Sequence, residues 1–417
     1  MGPITLFDKS FLQSLSLDES VWFDNFFLTN IPPIFFVETL ADLEKAVRSG
    51  RTPEQEVGII ADKTPELNSS PNMFHTKLCA GDLLGYKVTM DGRIIRSGGK
   101  PVRTEKQSGV VYEVAPEEEA FNRWLKGDFL EVERQFAKSW RYTLTSVNYE
   151  QIVQKLNRMG FNPKNCNTLE EAKTIAESII NASGCSLDRI QFVFTALNIP
   201  ESLFLIVYNR WGLNGCPPLK SFAPYAAYVL TIEVFFYIAA AANLISHKKV
   251  NDKVDLTYLF YLPFCMVFVS SDNIHRRCAP LFMRDDQVFV WGPDLKEDLK
   301  RIDDYFDRLP ESEKEKGLYA IANRPPPDEN FLVATLWDRF QPGWRLIPAN
   351  SLPQKGSEAS DKIIKHITRF TDVKPLQLDQ IDFNLQNPDA IVIKRKVRLR
   401  KGKWWQLPKN IEVKDDF

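Results

Sequence analysis

Short apolar runs alternate with stretches of helical period at two separate places in the chain, and this pattern predicts α/β units there. Residues 1–47 give the run Ile4–Phe7, an amphipathic stretch with Phe11, Leu12 and Leu15, a second run Ile34–Val37, and the helical ETLADLEKAV. Residues 222–300 return to the same character: a long apolar helix, a second helix near DLTYLFYL, the run FCMVFVSS and the β-like QVFVW. Between them, residues 48–221 read differently. Asp91-Gly92 and Gly98-Gly99 separate short β-like runs within Gly81–Val114, which predicts hairpins. From Pro116 to Ile180 the pattern is helical, opening with Pro before EEEAFNRWL, a sequence suited to a first turn. Residues 301–417 begin as charged helical sequence, break at Pro325-Pro326-Pro327 and end in a basic, aromatic tail. The Pro run and Ser351–Ser360 are the expected linkers or mobile loops. The expected fold class is therefore α/β, with α/β stretches at 1–47 and 222–300, a mixed α+β stretch at 48–221 between them, and an α+β C-terminal region at 301–417.

Composition narrows this only in part. At 417 residues the chain exceeds one typical core. Lys and Arg number 53 against 54 Asp and Glu, so any affinity for a polyanion has to come from a local patch. The six cysteines form no C-x-x-C pair and the four histidines have no short spacing, which predicts neither a disulfide framework nor structural zinc. A reducing, cytoplasmic setting follows as the expectation. The N-terminus has Asp8 and no basic segment, so it does not read as a secretory signal. Phe222 to Ile245 is long enough to span a bilayer. Glu233 near its centre would cost roughly 2.5–3.5 kcal/mol there, so a buried core helix and no membrane partner are expected.

The candidate chemistry lies in acids beside the apolar runs. Asp8 follows ITLF, Glu38 follows IFFV and Asp272 follows MVFVSS, while Asp255 opens LTYLFYL. Ligands of open α/β sheets bind outside the carboxyl ends of the strands, so acids at those ends converge on one edge. Convergent carboxylates raise one another's pKa. A hard divalent cation such as Mg²⁺ or Mn²⁺ removes that penalty and activates water toward a phosphodiester. Each acid taken alone is most often a helix cap or a solvated residue.

Three segments resemble PIN-domain nucleases. LFDKSFL is similar to their first strand and acid, where the Asp is followed by a small hydroxylated residue and an apolar helix. FFVETLADL resembles their second acid, and DLTYLFYLPFCMVFVSSDNIHRR resembles a third acid on a helix, a strand, and a fourth acid directly after it. The resemblance covers about 1–47 and 222–295. It implies one discontinuous PIN-like parallel-sheet core made of 1–47 and 222–300, with 48–221 as a mixed α+β insertion, and a Mg²⁺- or Mn²⁺-dependent ribonuclease. Asp8, Glu38 and Asp255 would be principal ligands, with Asp272 a ligand or an orienting group. A non-catalytic RNA- or protein-binding module on the same fold is the alternative. Single-stranded RNA is the expected partner; a homo-oligomer or a protein partner is left open. Ser271 is placed to bond a phosphate or a metal-bound water, or to cap a turn. His275 and Arg276 stand where they would contact RNA phosphate, or form a solvated face.

The tail IVIKRKVRLRKGKWWQLPK adds a candidate nucleic-acid surface. As one strand, its period of two puts Lys394, Lys396, Arg398 and Arg400 on one face to track phosphates. Trp404 and Trp405 would then stack on unpaired bases. The competing reading is an edge strand kept soluble by its charges, with the Trp residues in a core.

Overall fold

The computed structural model describes residues 2–45, 50–105, 107–145, 166–182, 184, 186–245, 250–327, 330–346, 365, 367–377, 380–381, 383, 385 and 387–411. Its strands in chain order are β1 (Ile4–Phe7), β2 (Leu28–Ile31), β3 (Ser69–Pro71), β4 (Gly99–Arg103), β5 (Ser108–Tyr112), β6 (Val267–Ser270), β7 (Val288–Trp291), β8 (Ala390–Ile393), β9 (Arg400–Lys401) and β10 (Trp404–Trp405). Five of them form one sheet in the order β3-β2-β1-β6-β7, and every neighbouring pair is parallel. Parallel neighbours cannot be joined by a tight turn, so helical crossovers cover the faces and the central strands are buried on both sides. β6 is buried at all four positions and β1 at three of four.

The α/β class and the strands at Ile4–Phe7, Val267–Ser270 and Val288–Trp291 agree with the sequence reading. The run Ile34–Val37 does not: it lies in the helix Pro33–Leu40. Pro33 stands in its first turn, where a missing N–H costs nothing. The strand is instead the less apolar LTNI just upstream, with Asn30 bonded through its side chain to the Phe264 carbonyl.

β3 belongs to the main sheet although it lies in 48–221. A hairpin does lie in this stretch, as antiparallel β4 and β5, but it turns after Arg103 and not at Asp91-Gly92 or Gly98-Gly99, and Arg93–Ile95 form no strand; β8 from the C-terminal region joins β5 in parallel. Residues of 48–221 and of 301–417 therefore share a three-stranded sheet. One hydrophobic cluster runs from Leu6 through Trp124, Tyr225 and Phe268 to Trp404. Pro325 and Pro326 are buried and do not form an exposed linker, while Ser351–Ser360 lies outside the described residues.

The long apolar segment forms the helix Pro224–Ala241, and 72% of it is buried inside the protein. The Asp82 carboxylate caps its N-terminus, accepting from the backbone N–H of Tyr225 at 2.7 Å and of Ala226 at 3.1 Å. Glu233 pairs with Lys253 at 3.5 Å. Cys216 is disulfide-bonded to a partner outside the described residues, which corrects the expectation of no disulfide; Cys79, Cys166, Cys265 and Cys278 are free.

Candidate metal centre

In this sheet the strand order reverses between β1 and β6: β2 and β3 extend to one side, β7 to the other. Such a switch point opens a crevice at the carboxyl ends of the two strands. Asp8 directly follows β1, and Asp272 lies two residues beyond β6. Asp255 is carried by the helix Val250–Thr257 and Glu38 by the helix Pro33–Leu40. All four acids line one cleft of about 160 Å³, together with Lys9, Ser10, Asp42 and Tyr258.

Asp8 is fixed from several sides. Its Oδ1 accepts from the Phe11 N–H at 2.9 Å, capping the helix Lys9–Ser14. Its Oδ2 accepts from Ser10 at 2.6 Å and Ser270 at 2.7 Å, with His275 Nδ1 at 3.3 Å. Burial alone would raise this carboxyl, but the His275 hydrogen bond and charge, with both serines, hold it below its ordinary range. The His275 ring is fully buried. Burial opposes its charge, yet Asp8 and Asp255 outweigh that and push it up to about 9. A charged ring donates from both nitrogens, which suits the contacts of Nε2 with the Asp255 carbonyl and of Nδ1 with Ser270 Oγ, each at 2.7 Å.

The other acids are held less evenly. Asp272 accepts from the Ile274 N–H at 2.9 Å as the cap of the helix Asn273–Phe282. Glu38 accepts from the Tyr258 hydroxyl at 2.8 Å. Burial first, then the charges of Glu38, Asp272 and Asp8, drive the Asp255 carboxyl up to about 8 against the pull of His275. Lys9, only 2% exposed, sets its ammonium 2.5 Å from Asp42 and 3.6 Å from Glu38. Burial lowers its pKa, partly offset by those two acids.

Among the described residues, no three His, Cys, Asp or Glu side chains stand close enough to hold a metal ion in this arrangement. The cleft offers carboxylate and hydroxyl oxygens, the donor type a hard cation takes, but it is lined as well by the ammonium groups of Lys9 and Lys45. Asp255 is raised chiefly by its burial, with the neighbouring acids adding to the shift.

The remaining sequence candidates fall elsewhere. Ser271 Oγ is buried without a hydrogen-bond partner against Gly292, where an added Cβ would come within 2.1 Å. Its neighbour Ser270 is the serine that bonds Asp8. His275 is an internal support for Asp8 and cannot meet RNA phosphate from a fully buried position. Arg276 is exposed with its guanidinium 5.0 Å over the Trp291 ring. The basic tail is not one strand: β8 ends at Ile393, β9 begins at Arg400, and Gly402 at φ +57° turns the chain into β10. The row of Lys394, Lys396, Arg398 and Arg400 on a single strand face is therefore not formed. Lys394 pairs with Glu113 at 3.0 Å, and Arg398 pairs with Asp62 and Glu66, each at 2.5 Å. Lys396 and Arg400 are exposed, Arg400 over the Trp405 ring. Trp404 is wholly buried 4.6 Å from Trp22 and donates to Asp303 at 2.7 Å, so its face is closed to a base.

Sequence reasoning missed Lys9, Asp42, Tyr258 and Ser270. The adjacency of Lys9 to Asp8 was the one available signal. Compared with family models, curated proteins and solved structures, the chain matches none of them.

Proposed function

We propose that the chain is a divalent-metal-dependent nuclease of the kind its PIN-like segments resemble, hydrolysing phosphodiester bonds, with single-stranded RNA as the expected substrate. The observation that carries this reading is the delivery of Asp8, Glu38, Asp255 and Asp272 from four separate elements into one cleft at the switch point of a parallel sheet. Asp8, Asp255 and Asp272 would hold Mg²⁺ or Mn²⁺, with Glu38 the fourth acid of the wall. A cation there would supply positive charge to the phosphoryl oxygens and would lower the pKa of a bound water. The protein's own groups orient the site. His275 bonds the Asp8 carboxylate and the Asp255 carbonyl together, so one buried ring ties two acids of different elements. Ser270 donates to Asp8 while accepting from the Asp272 N–H, linking the ends of β1 and β6. Tyr258 turns Glu38 toward the cleft. The reaction these positions support is hydrolysis: a water oxygen bonds to phosphorus as the bond to the 3′ oxygen breaks in line.

One observation favours the non-catalytic binding module instead: Lys9 and His275 already supply the cleft with buried cations. The two readings separate on incubation of the purified chain with labelled single-stranded RNA and Mn²⁺ or Mg²⁺. Cleavage that is lost in Asp8→Asn and Asp255→Asn supports the nuclease. Cleavage untouched by both substitutions refutes this site, and RNA binding without cleavage under either metal supports the binding module.

A further inference from the structure

A second cavity, of about 340 Å³, is larger than the acidic cleft and lies toward the other end of the sheet. Pro263 stands just before β6 and Gln287 immediately before β7, so both mark the amino ends of those strands, whereas Asp8 and Asp272 follow carboxyl ends. Its sides come from the helices Pro224–Ala241 and Leu169–Asn181 and from the end of the helix Asn273–Phe282. Met90, Ala227, Tyr228, Phe282 and Met283 give it apolar walls. A concave, mostly apolar space of this size is in the range that small ligands fill.

The polar groups of the wall have already committed their donors. The Tyr228 hydroxyl donates to the Leu259 carbonyl at 2.9 Å and the Thr231 hydroxyl to the Ala227 carbonyl at 2.7 Å. The Gln287 amide nitrogen donates to the carbonyls of Leu262 and Cys265 at 2.6 and 2.7 Å, and its oxygen accepts from the Arg284 N–H at 2.8 Å. A polar ligand entering here would lose its water and gain few hydrogen bonds in return, so the interior favours hydrocarbon. The charged residues of the lining are Lys173, Lys220 and Arg284 against the single acid Glu177. Lys173 is held by Glu177 at 3.1 Å and Arg284 by Asp286 at 2.9 Å. Lys220 is exposed and pairs with no acid among the described residues.

We propose that this cavity binds a medium-chain acyl anion, its hydrocarbon tail against the apolar walls and its carboxylate beside the Lys220 ammonium. One uncommitted ammonium suits one negative charge, and the committed donors of the wall leave the tail nothing polar to displace. The site is separate from the acidic cleft and stands whether or not the chain cleaves RNA.

The test is calorimetric titration of decanoate, kept below its micellisation range, into the full-length protein. Saturation at one decanoate per chain is expected, with binding weaker by about four-fold for each methylene removed in octanoate and hexanoate. Lys220→Met should weaken decanoate about three- to five-fold and leave decanol unchanged, as loss of one exposed ion pair does. Ala227→Phe, which fills the cavity from its helical wall, should abolish binding, with circular dichroism verifying that the variant is folded. If Ala227→Phe does not fold, Lys220→Met, at an exposed position, and the chain-length series decide the matter. Binding that does not saturate at one per chain, that is indifferent to chain length, or that Lys220→Met leaves unchanged would overturn the proposal, as would decanol binding the wild type as tightly as decanoate.

Discussion

Neutralising Asp255 should stabilise the metal-free protein, although the residue is placed at the centre of the site. Burial and the charges of Glu38, Asp272 and Asp8 raise its carboxyl from the ordinary 3.8 to about 8. Below about pH 4 the folded and unfolded chains both carry the proton, and no penalty exists. Between about pH 4 and pH 8 the folded chain keeps a proton that the unfolded chain has released, so stability falls as pH rises. Above about pH 8 both forms are ionised and the full penalty remains. The interval between 3.8 and about 8 corresponds to a ceiling of ~6 kcal/mol. Water entering the cleft and small shifts of the neighbouring acids reduce it, so a gain of about 2 kcal/mol is expected for Asp255→Asn near pH 8.5. Urea unfolding in the presence of a chelator, at about pH 4 and about pH 8.5, measures this directly. The two proteins should nearly coincide at the lower pH, with the variant ahead at the higher. Mn²⁺ at about 100 times its Kd should then add ~2.7 kcal/mol to the wild type and little to the variant, reversing their order. A variant less stable than the wild type near pH 8.5 without metal, or a gap independent of pH, would refute the argument.

Three further outcomes concern the frame around the cleft. Asp24 accepts the backbone N–H groups of Glu66, Leu67 and Asn68, each at 2.7 Å, and so ties the helix Leu17–Phe26 to the turn before β3. Asp24→Ala leaves three half-buried donors without their carboxylate and should cost about 2–4 kcal/mol by urea unfolding, with Asp24→Asn costing less. Trp404→Ala should lower stability by roughly 3–5 kcal/mol, because the ring fills a site between Trp22 and Asp303; an unchanged midpoint would show that it is not core. Arg398→Ala should leave the salt dependence of RNA binding unchanged, since Asp62 and Glu66 occupy its guanidinium. A slope reduced by about one would show instead that it contacts phosphate.

What the sequence made legible follows from burial. β1, β6 and β7 are apolar runs of strand length bounded by polar residues, so Asp8 and Asp272 could be placed at strand ends before any fold was known. Ile34–Val37 is equally apolar but helical, since a helix buried on most faces has no readable period and only Pro32-Pro33 marks its start. β3, reading Ser-Ser-Pro, carries no apolar signal at all; its place comes from pairing with β2. In the tail, alternation of Lys and Arg with Val and Leu imitates a strand, while Gly402 marks the turn that sends Trp404 inward. The pairing of Lys9 with Glu38 and Asp42, and the choice of Ser270 over Ser271, depend on contacts across the cleft and between strands that spacing along the chain does not encode.

The central claim, that these carboxylates form a metal site, is tested most directly by anomalous scattering from a crystal soaked in Mn²⁺. The proposal requires one strong peak in the cleft, within about 2.0–2.6 Å of carboxylate oxygens of Asp255 and Asp272. A cleft with no peak, or Mn²⁺ bound only outside it while Lys9 and His275 retain their carboxylates, would contradict it.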